Sequence, residues 1–253
     1  GGEGESIERF RSGGRIIPRN SLSLFGVGGK GFRAFFWDGR VERRDARIKS
    51  PFGNEPPVDD ALVVAVHLPV AEIRETLQED DFVSAHKLET VEAANQVYAA
   101  VVKKLTAREP KAMLNLASAT GKRLDALKME DVASALAEFI RDKFRLRPSK
   151  FSQFMEGKGK LSEDELKGGI IFYGKGQCSS CHRGPYFSDF DYHTIAFPQA
   201  GFGKNGFGVD YGRYNSTFNP EDLYKFRTPS LHNITKTFPY GHSGSIMDLK
   251  RAI

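Results

Sequence analysis

Hydrophobic positions along this chain follow a helical period through its middle and no sustained period at its start. Val91, Ala94, Tyr98, Val101, Val102 and Leu105 recur at 3.6-residue spacing, as do Val132, Leu136, Phe139 and Ile140. The spacing predicts two amphipathic helices sharing one core, within a helical region that begins near Asp59. Pro148 ends the second, and Gly157-Lys158-Gly159-Lys160 reads as a loop. Helix restarts at Ser162, where Glu165 three residues on completes a capping box, and Leu166, Ile170 and Tyr173 carry it toward residue 178. Residues 1 to 58, rich in Gly, Pro and Arg, read as loops and short turns. After Pro185 the glycines at 201, 203, 206, 208 and 212 predict another loop-rich stretch without a repeated strand signal. The fold class expected is mainly α.

Composition narrows the class without naming it. At 253 residues the chain can form one large or two smaller domains. Its 27% charged and 40% hydrophobic residues are those of an ordinary globular protein. The net charge of +5 is dispersed, with Arg43-Arg44 and Lys103-Lys104 as isolated pairs, so a nucleic-acid partner is not expected. The longest apolar run, Ala61 to Val66, is far too short to span a bilayer. The start Gly1-Gly2-Glu3-Gly4 lacks a methionine and a signal-peptide pattern and reads as a processed or truncated product.

Both cysteines lie in Cys178-Ser179-Ser180-Cys181-His182. In a Cys-x-x-Cys-His run two thiols can add to the vinyl groups of one haem, and the adjacent imidazole comes under the iron. Two other chemistries use paired cysteines. A zinc site needs four ligands and would have to recruit His182 and His193. A thioredoxin-like dithiol is expected after a strand and at the opening of a helix, whereas this motif follows helix and runs into Arg183-Gly184-Pro185. Covalent haem c is the reading the context favours, and its attachment takes place in the bacterial periplasm or an equivalent compartment.

Further strings occur in a fixed order: Pro18-Arg19-Asn20, Phe36-Trp37-Asp38-Gly39-Arg40, Phe172-Tyr173-Gly174-Lys175 and Gly184-Pro185-Tyr186-Phe187-Ser188-Asp189. Then come Asp210-Tyr211-Gly212-Arg213, Phe226-Arg227-Thr228-Pro229-Ser230-Leu231 and Pro239-Tyr240-Gly241-His242-Ser243-Gly244-Ser245. In this combination the chain resembles the bacterial di-haem cytochrome c peroxidases and their relative MauG. The resemblance implies two cytochrome c-like domains with long loops, at 1–150 (peroxidatic, with a helical insert) and 151–253 (electron-transferring). It implies two haems c, of which Cys178, Cys181 and His182 hold the second. The first attachment motif is expected immediately before Gly1, and the distal ligand of the second haem, Met in the peroxidases and Tyr in MauG, shortly after Ile253. Met247 stands too close to His242 to match that ligand and reads as structural. The chain is therefore expected to be clipped at both ends, or to be a single-haem derivative.

The resemblance also assigns roles residue by residue. Trp37, the only tryptophan, matches the electron relay between the haems; its other role is core packing beside Phe35 and Phe36. Pro51 and, after a two-residue shift, Glu55 match the distal pocket of the peroxidatic haem, where a carboxyl can shuttle a proton between peroxide oxygens. Asn20, Thr237 and the backbone carbonyl of Pro239 match oxygen ligands of an interdomain calcium ion. His242 matches a group beside a propionate of the second haem; His193 and His232 read as hydrogen-bonded structural histidines, and His67 and His86 carry no signal. No histidine precedes His67, and the place of the peroxidases' displaceable distal ligand reads Arg11-Ser12-Gly13-Gly14-Arg15, which implies an open haem as in MauG.

Three functions follow as expectations. One is a periplasmic peroxidase that reduces hydrogen peroxide with electrons from a small cytochrome c or cupredoxin. Another is a MauG-like enzyme that uses peroxide to oxidise residues of a partner protein. The third is a non-catalytic electron carrier. The family's peroxidases are commonly dimers, which leaves a homodimer open.

Overall fold

The computed structural model describes residues 18–71 and 90–253. The stretch Arg11–Arg15, the loop at Gly1–Glu3 and His86 lie outside the described residues.

The first departure from the sequence pattern is a small antiparallel sheet in the region expected to be loop. Strands β1 (Ala34–Phe35), β2 (Val41–Arg44) and β3 (Arg47–Lys49) pair in the order β1-β2-β3, with Phe35 opposite Val41 and Arg43 opposite Ile48. Such short strands carry too few alternations to register as a period. The β2–β3 turn uses Asp45 and Ala46, both left-handed at φ 45° and 64°, which suits the twist of a tight hairpin.

Helix α1 (Ala61–Ala71) is apolar on every face, and most of its first turns are buried against β2 and the later helices. An all-round apolar helix belongs inside a core. Its start is held by Asp60, whose Oδ1 accepts from the Leu62 amide at 2.9 Å and whose carboxylate pairs with Arg141 at 2.6 Å. Helix α2 (Val91–Arg108) is capped by Thr90, whose hydroxyl oxygen accepts from the Ala93 amide. Helix α3 (Pro110–Thr120) opens on proline and closes on left-handed Gly121, and helix α4 (Met129–Lys143) returns along α1.

The expected stripe on α4 is rotated. Met129, Ala133 and Ala137 are buried, while Leu136 and Phe139 are exposed. Alanine at the contact lets α1 and α4 approach closely, which the larger side chains would prevent. On α2 the buried positions are Ala93, Val97, Tyr98 and Val102, so that stripe lies close to its expected face.

Helix α5 (Lys150–Met155) and helix α6 (Glu163–Tyr173) follow. The α6 capping box forms as expected: the Glu165 amide donates to Ser162 Oγ at 3.2 Å, and the Ser162 amide to Glu165 Oε2 at 2.6 Å. The remainder is mostly loop, with β4 (Tyr192–His193) pairing with β7 (Phe226–Arg227), a hairpin of β5 (Phe202–Gly203) and β6 (Gly206–Phe207), and short helices α7 (Tyr214–Thr217) and α8 (Leu249–Ala252). No helix among the described residues is long and apolar enough to cross a membrane.

Loops near either end of the chain are joined through buried charge. Arg19 grips Asp210 with two bonds, at 2.7 and 2.8 Å, and reaches Asp38 at 2.6 Å. Arg213 donates to Glu42 at 3.1 Å and lies flat on the Tyr192 ring, 3.4 Å from its centroid. Burial alone would raise the Asp38 carboxyl, but the charges of Arg40 and Arg19 outweigh it and hold Asp38 well below the usual range. Gly39, at φ +64°, is left without a side chain because the Tyr192 hydroxyl occupies the place a Cβ would take.

Candidate haem site

The haem motif follows α6 directly. Gln177 is left-handed, at φ 54°, and turns the chain into a short 3-10 segment at Cys178–Ser180. The amides of Cys181 and His182 both donate to the Cys178 carbonyl, at 3.4 and 2.9 Å. Two half-buried free thiols and the imidazole are thereby presented from a single turn. His182 Nδ1–H donates to the Phe187 carbonyl at 2.8 Å, which fixes the tautomer with Nε2 bearing the lone pair. A second ring nitrogen held in this way is what orients a metal-ligating histidine.

The surroundings suit an apolar macrocycle. Helix α6 buries none of its side chains, and Leu166, Ile170, Ile171 and Tyr173 are exposed. Phe151 stacks on Tyr173 at 6.1 Å, and Phe187 meets Phe172 edge-on and His232 at a steep angle. These residues fit a haem joined to Cys178 and Cys181 with His182 as axial ligand. The zinc alternative required both cysteines together with His182 and His193. Among the described residues the ligating atoms that converge, within 4.8 Å, belong to Cys181, Asp189 and His193, without Cys178 or His182.

Trp37 is buried, and its indole Nε1–H donates to the Asn20 carbonyl at 2.8 Å. Its own carbonyl accepts from the Arg227 amide at 2.8 Å. It lines a cavity of about 440 Å³ with Asn20, Phe32, Phe36, Leu62 and Arg227. Pro51 and Glu55 do not line this cavity. Pro51 borders a smaller one of about 310 Å³ beside Arg40 and Lys204, which border both; Glu55 faces a larger groove with His67 and Tyr98. Pro51 and Glu55, expected to share the peroxidatic pocket, and Trp37, expected as the relay between the haems, thus line three different hollows.

Asn20 meets the expected calcium region. Its Nδ2 donates to the Pro239 carbonyl at 2.6 Å and to the Gly241 carbonyl at 3.4 Å, and its amide donates to the His242 carbonyl at 2.8 Å. Turning the carboxamide over would set Oδ1 beside the same carbonyls, a hard-oxygen cluster of the sort calcium takes. The Thr237 hydroxyl instead donates to Ile234 O at 3.4 Å. His242 is buried, stacks on Phe226 at 3.9 Å between centroids and donates from Nε2 to Gln199 Oε1 at 2.9 Å; burial pushes its pKa down. His193 meets Asp189 at 2.9 Å, and His232 donates to Pro185 O at 2.7 Å. Met247 is exposed, in a hollow with Ile195, Phe197 and Ile253.

Two features escaped the sequence reading. His67 is fully buried, its Nδ1–H donating to Val63 O at 2.7 Å, and its Nε2 has no partner among the described residues. Arg227 is almost fully buried and has no ion pair among the described residues. A polar residue inside the apolar run of α1 was the available signal for the first; the second stood in the string Phe226-Arg227-Thr228, which marked the residue and not its burial.

A motif turn that presents two thiols and an oriented imidazole beside exposed apolar side chains defines the class as a c-type haem protein. The profile of the di-haem cytochrome c peroxidases matches residues 2–160, more than half the chain, and the protein belongs to that family, whose peroxidases and MauG are haem oxidoreductases. Cytochrome c551 peroxidase of Nitrosomonas europaea is 34% identical over 131 residues, covering 51% of this chain and 37% of that protein. Methylamine utilization protein MauG of Paracoccus denitrificans is 29% identical over 137 residues, covering 48% and 35%. The matches therefore span about a third of the length of these curated relatives. Among solved structures, a MauG-like protein associated with microbial copper homeostasis superposes with a TM-score of 0.65 at 21% identity, covering 95% of this chain and 63% of that one. The diheme peroxidase BthA of Burkholderia thailandensis gives 0.62 at 19% identity, covering 94% and 57%. Both likenesses establish the fold.

Proposed function

We propose that the chain belongs to a periplasmic di-haem peroxidase that reduces hydrogen peroxide with electrons from a small cytochrome c or cupredoxin. Residues 1–150 form its peroxidatic domain and 151–253 its electron-transferring domain. The observation that carries this reading is the position of Trp37, bonded through its indole to Asn20 and through its carbonyl to Arg227, beside an apolar cavity.

Haem bound at Cys178 and Cys181 would supply one-electron redox chemistry. His182 would hold it through Nε2 while Phe187 O keeps Nδ1–H, and His242 would be the group to contact a propionate. Trp37 shortens the electron's path to the first haem. Pro51 would shape the peroxide pocket and Glu55 would move the proton there. Asn20 and Pro239 O, with Thr237, would hold a calcium ion beside Trp37.

The experiment is to count covalent haems by mass in the full-length protein and mix its reduced form with peroxide. Two haems and fast oxidation of a reduced donor protein support the peroxidase; one haem and no reaction refute it. A second reading, MauG-like oxidation of a partner protein, is favoured by the lack of any histidine before His67. It predicts a two-electron-oxidised state that persists without a donor.

A further inference from the structure

Arg227 is 3% exposed, and among the described residues no carboxylate pairs with it. Its Nε donates to Phe36 O at 2.9 Å and its Nη1 to Thr228 O at 3.2 Å; Nη2 has no partner among the described residues. The rings of Phe32 and Phe190 lie 5.8 Å from the guanidinium carbon, a weak substitute for a counter-charge. Burial draws its pKa down to about 10. Asp38 is near enough to oppose that shift, but its two oxygens already accept from Arg19 and Arg40. A guanidinium stays protonated, and an uncompensated buried charge is strongly unfavourable.

Arg227 lines the Trp37 cavity, whose other walls include Phe32, Phe36, Leu62 and Val66. Arg19, Arg40 and Lys204 line it too, so an occupant with a broad apolar body and anionic ends suits these walls better than a small inorganic anion. We propose that Arg227, from strand β7, is the counter-charge of a carboxylate borne by the haem of the peroxidatic domain, a propionate reaching across the seam beside Trp37. This rests on the two-haem reading above. A planar fork suits a carboxylate. The same arginine's amide fixes the Trp37 carbonyl, so one residue joins the haem's edge to the relay.

The test uses the full-length, haem-loaded protein and its Arg227→Gln and Arg227→Lys variants. Haem is counted by mass, and both couples are titrated potentiometrically from pH 5 to 9. Removing Arg227 takes away a buried cation that faces the carboxylate, with Arg40 and Lys204 remaining elsewhere on the cavity wall. One midpoint should therefore fall by about 59 mV or more, a ten-fold shift toward the oxidised form, and should gain a pH dependence as that carboxyl titrates. Arg227→Lys keeps the charge and should hold the midpoint near wild type, while the propionate bending band in the resonance Raman spectrum moves because the fork is lost. Two haems with unchanged midpoints, pH profiles and propionate bands in the variants would overturn the proposal alone. A single haem in the wild-type protein would overturn the two-haem reading and this proposal together.

Discussion

The indole nitrogen of Trp37 donates its hydrogen to the backbone carbonyl of Asn20 at 2.8 Å, and the side chain of the same Asn20 reaches the Pro239 carbonyl at 2.6 Å. Residues 17 and 219 positions apart are thereby locked into one unit. An indole whose N–H faces a carbonyl has no base to take its proton, so an oxidised Trp37 would keep its positive charge.

Trp37→Phe keeps an aromatic ring, though a smaller one, and loses this bond. Peroxide-dependent oxidation of a reduced donor is expected to slow about ten-fold or more, equivalent to ~1.4 kcal/mol on the barrier. Stability should fall by about 1 kcal/mol for the lost hydrogen bond. Stopped-flow oxidation and denaturant titration measure the two effects; an unchanged rate would remove Trp37 from the electron path.

Replacing Cys178 and Cys181 together by serine should leave a protein one haem lighter by mass, since the chain has no other cysteine. His182→Ala should keep the covalent haem but change its axial-ligand spectrum.

Asn20→Ala removes the carboxamide from the cluster at Pro239 and Gly241. Calcium affinity, measured by isothermal titration after chelator treatment, is expected to fall at least ten-fold, about 1.4 kcal/mol. Equal affinity in the variant would place calcium elsewhere.

Asp210→Asn should be severe. It removes one of the two carboxylates that face buried Arg19 among the described residues, and breaking a buried pair costs about 3–5 kcal/mol. The urea midpoint should drop accordingly; a shift no larger than that of a surface mutation would show that Asp38 alone satisfies Arg19.

His67 gives a pH dependence of defined sign. Burial lowers its pKa, opposed by the Val63 carbonyl bond and by Glu130, and the other groups packed on it are Phe52 and Tyr98. A lowered folded-state pKa means that the unfolded chain binds the proton more readily. Its contribution is fully present above the ordinary histidine value of about 6.5 and is lost as pH falls below it. Urea midpoints from pH 7.5 to 5 should decline, and His67→Phe should flatten the slope.

The haem motif and the α6 capping box were legible because each is a local device, in which residues within five positions settle the geometry. The amphipathic period placed α2 and α4 for the same reason, while the face that α4 buries depended on how closely α1 could approach its alanines. The β1–β3 sheet was missed because two- to four-residue strands carry almost no period. Family strings at 18–20, 36–40, 210–213 and 226–227 could be read one by one. Their convergence, with Arg19 on Asp38 and Asp210 and with Arg227 against Trp37, could not. Covalent chemistry and helical segments are written in short stretches of chain. Which charges are buried, which find partners and which face a cavity depends on contacts across nearly two hundred residues, and those only the folded chain decides.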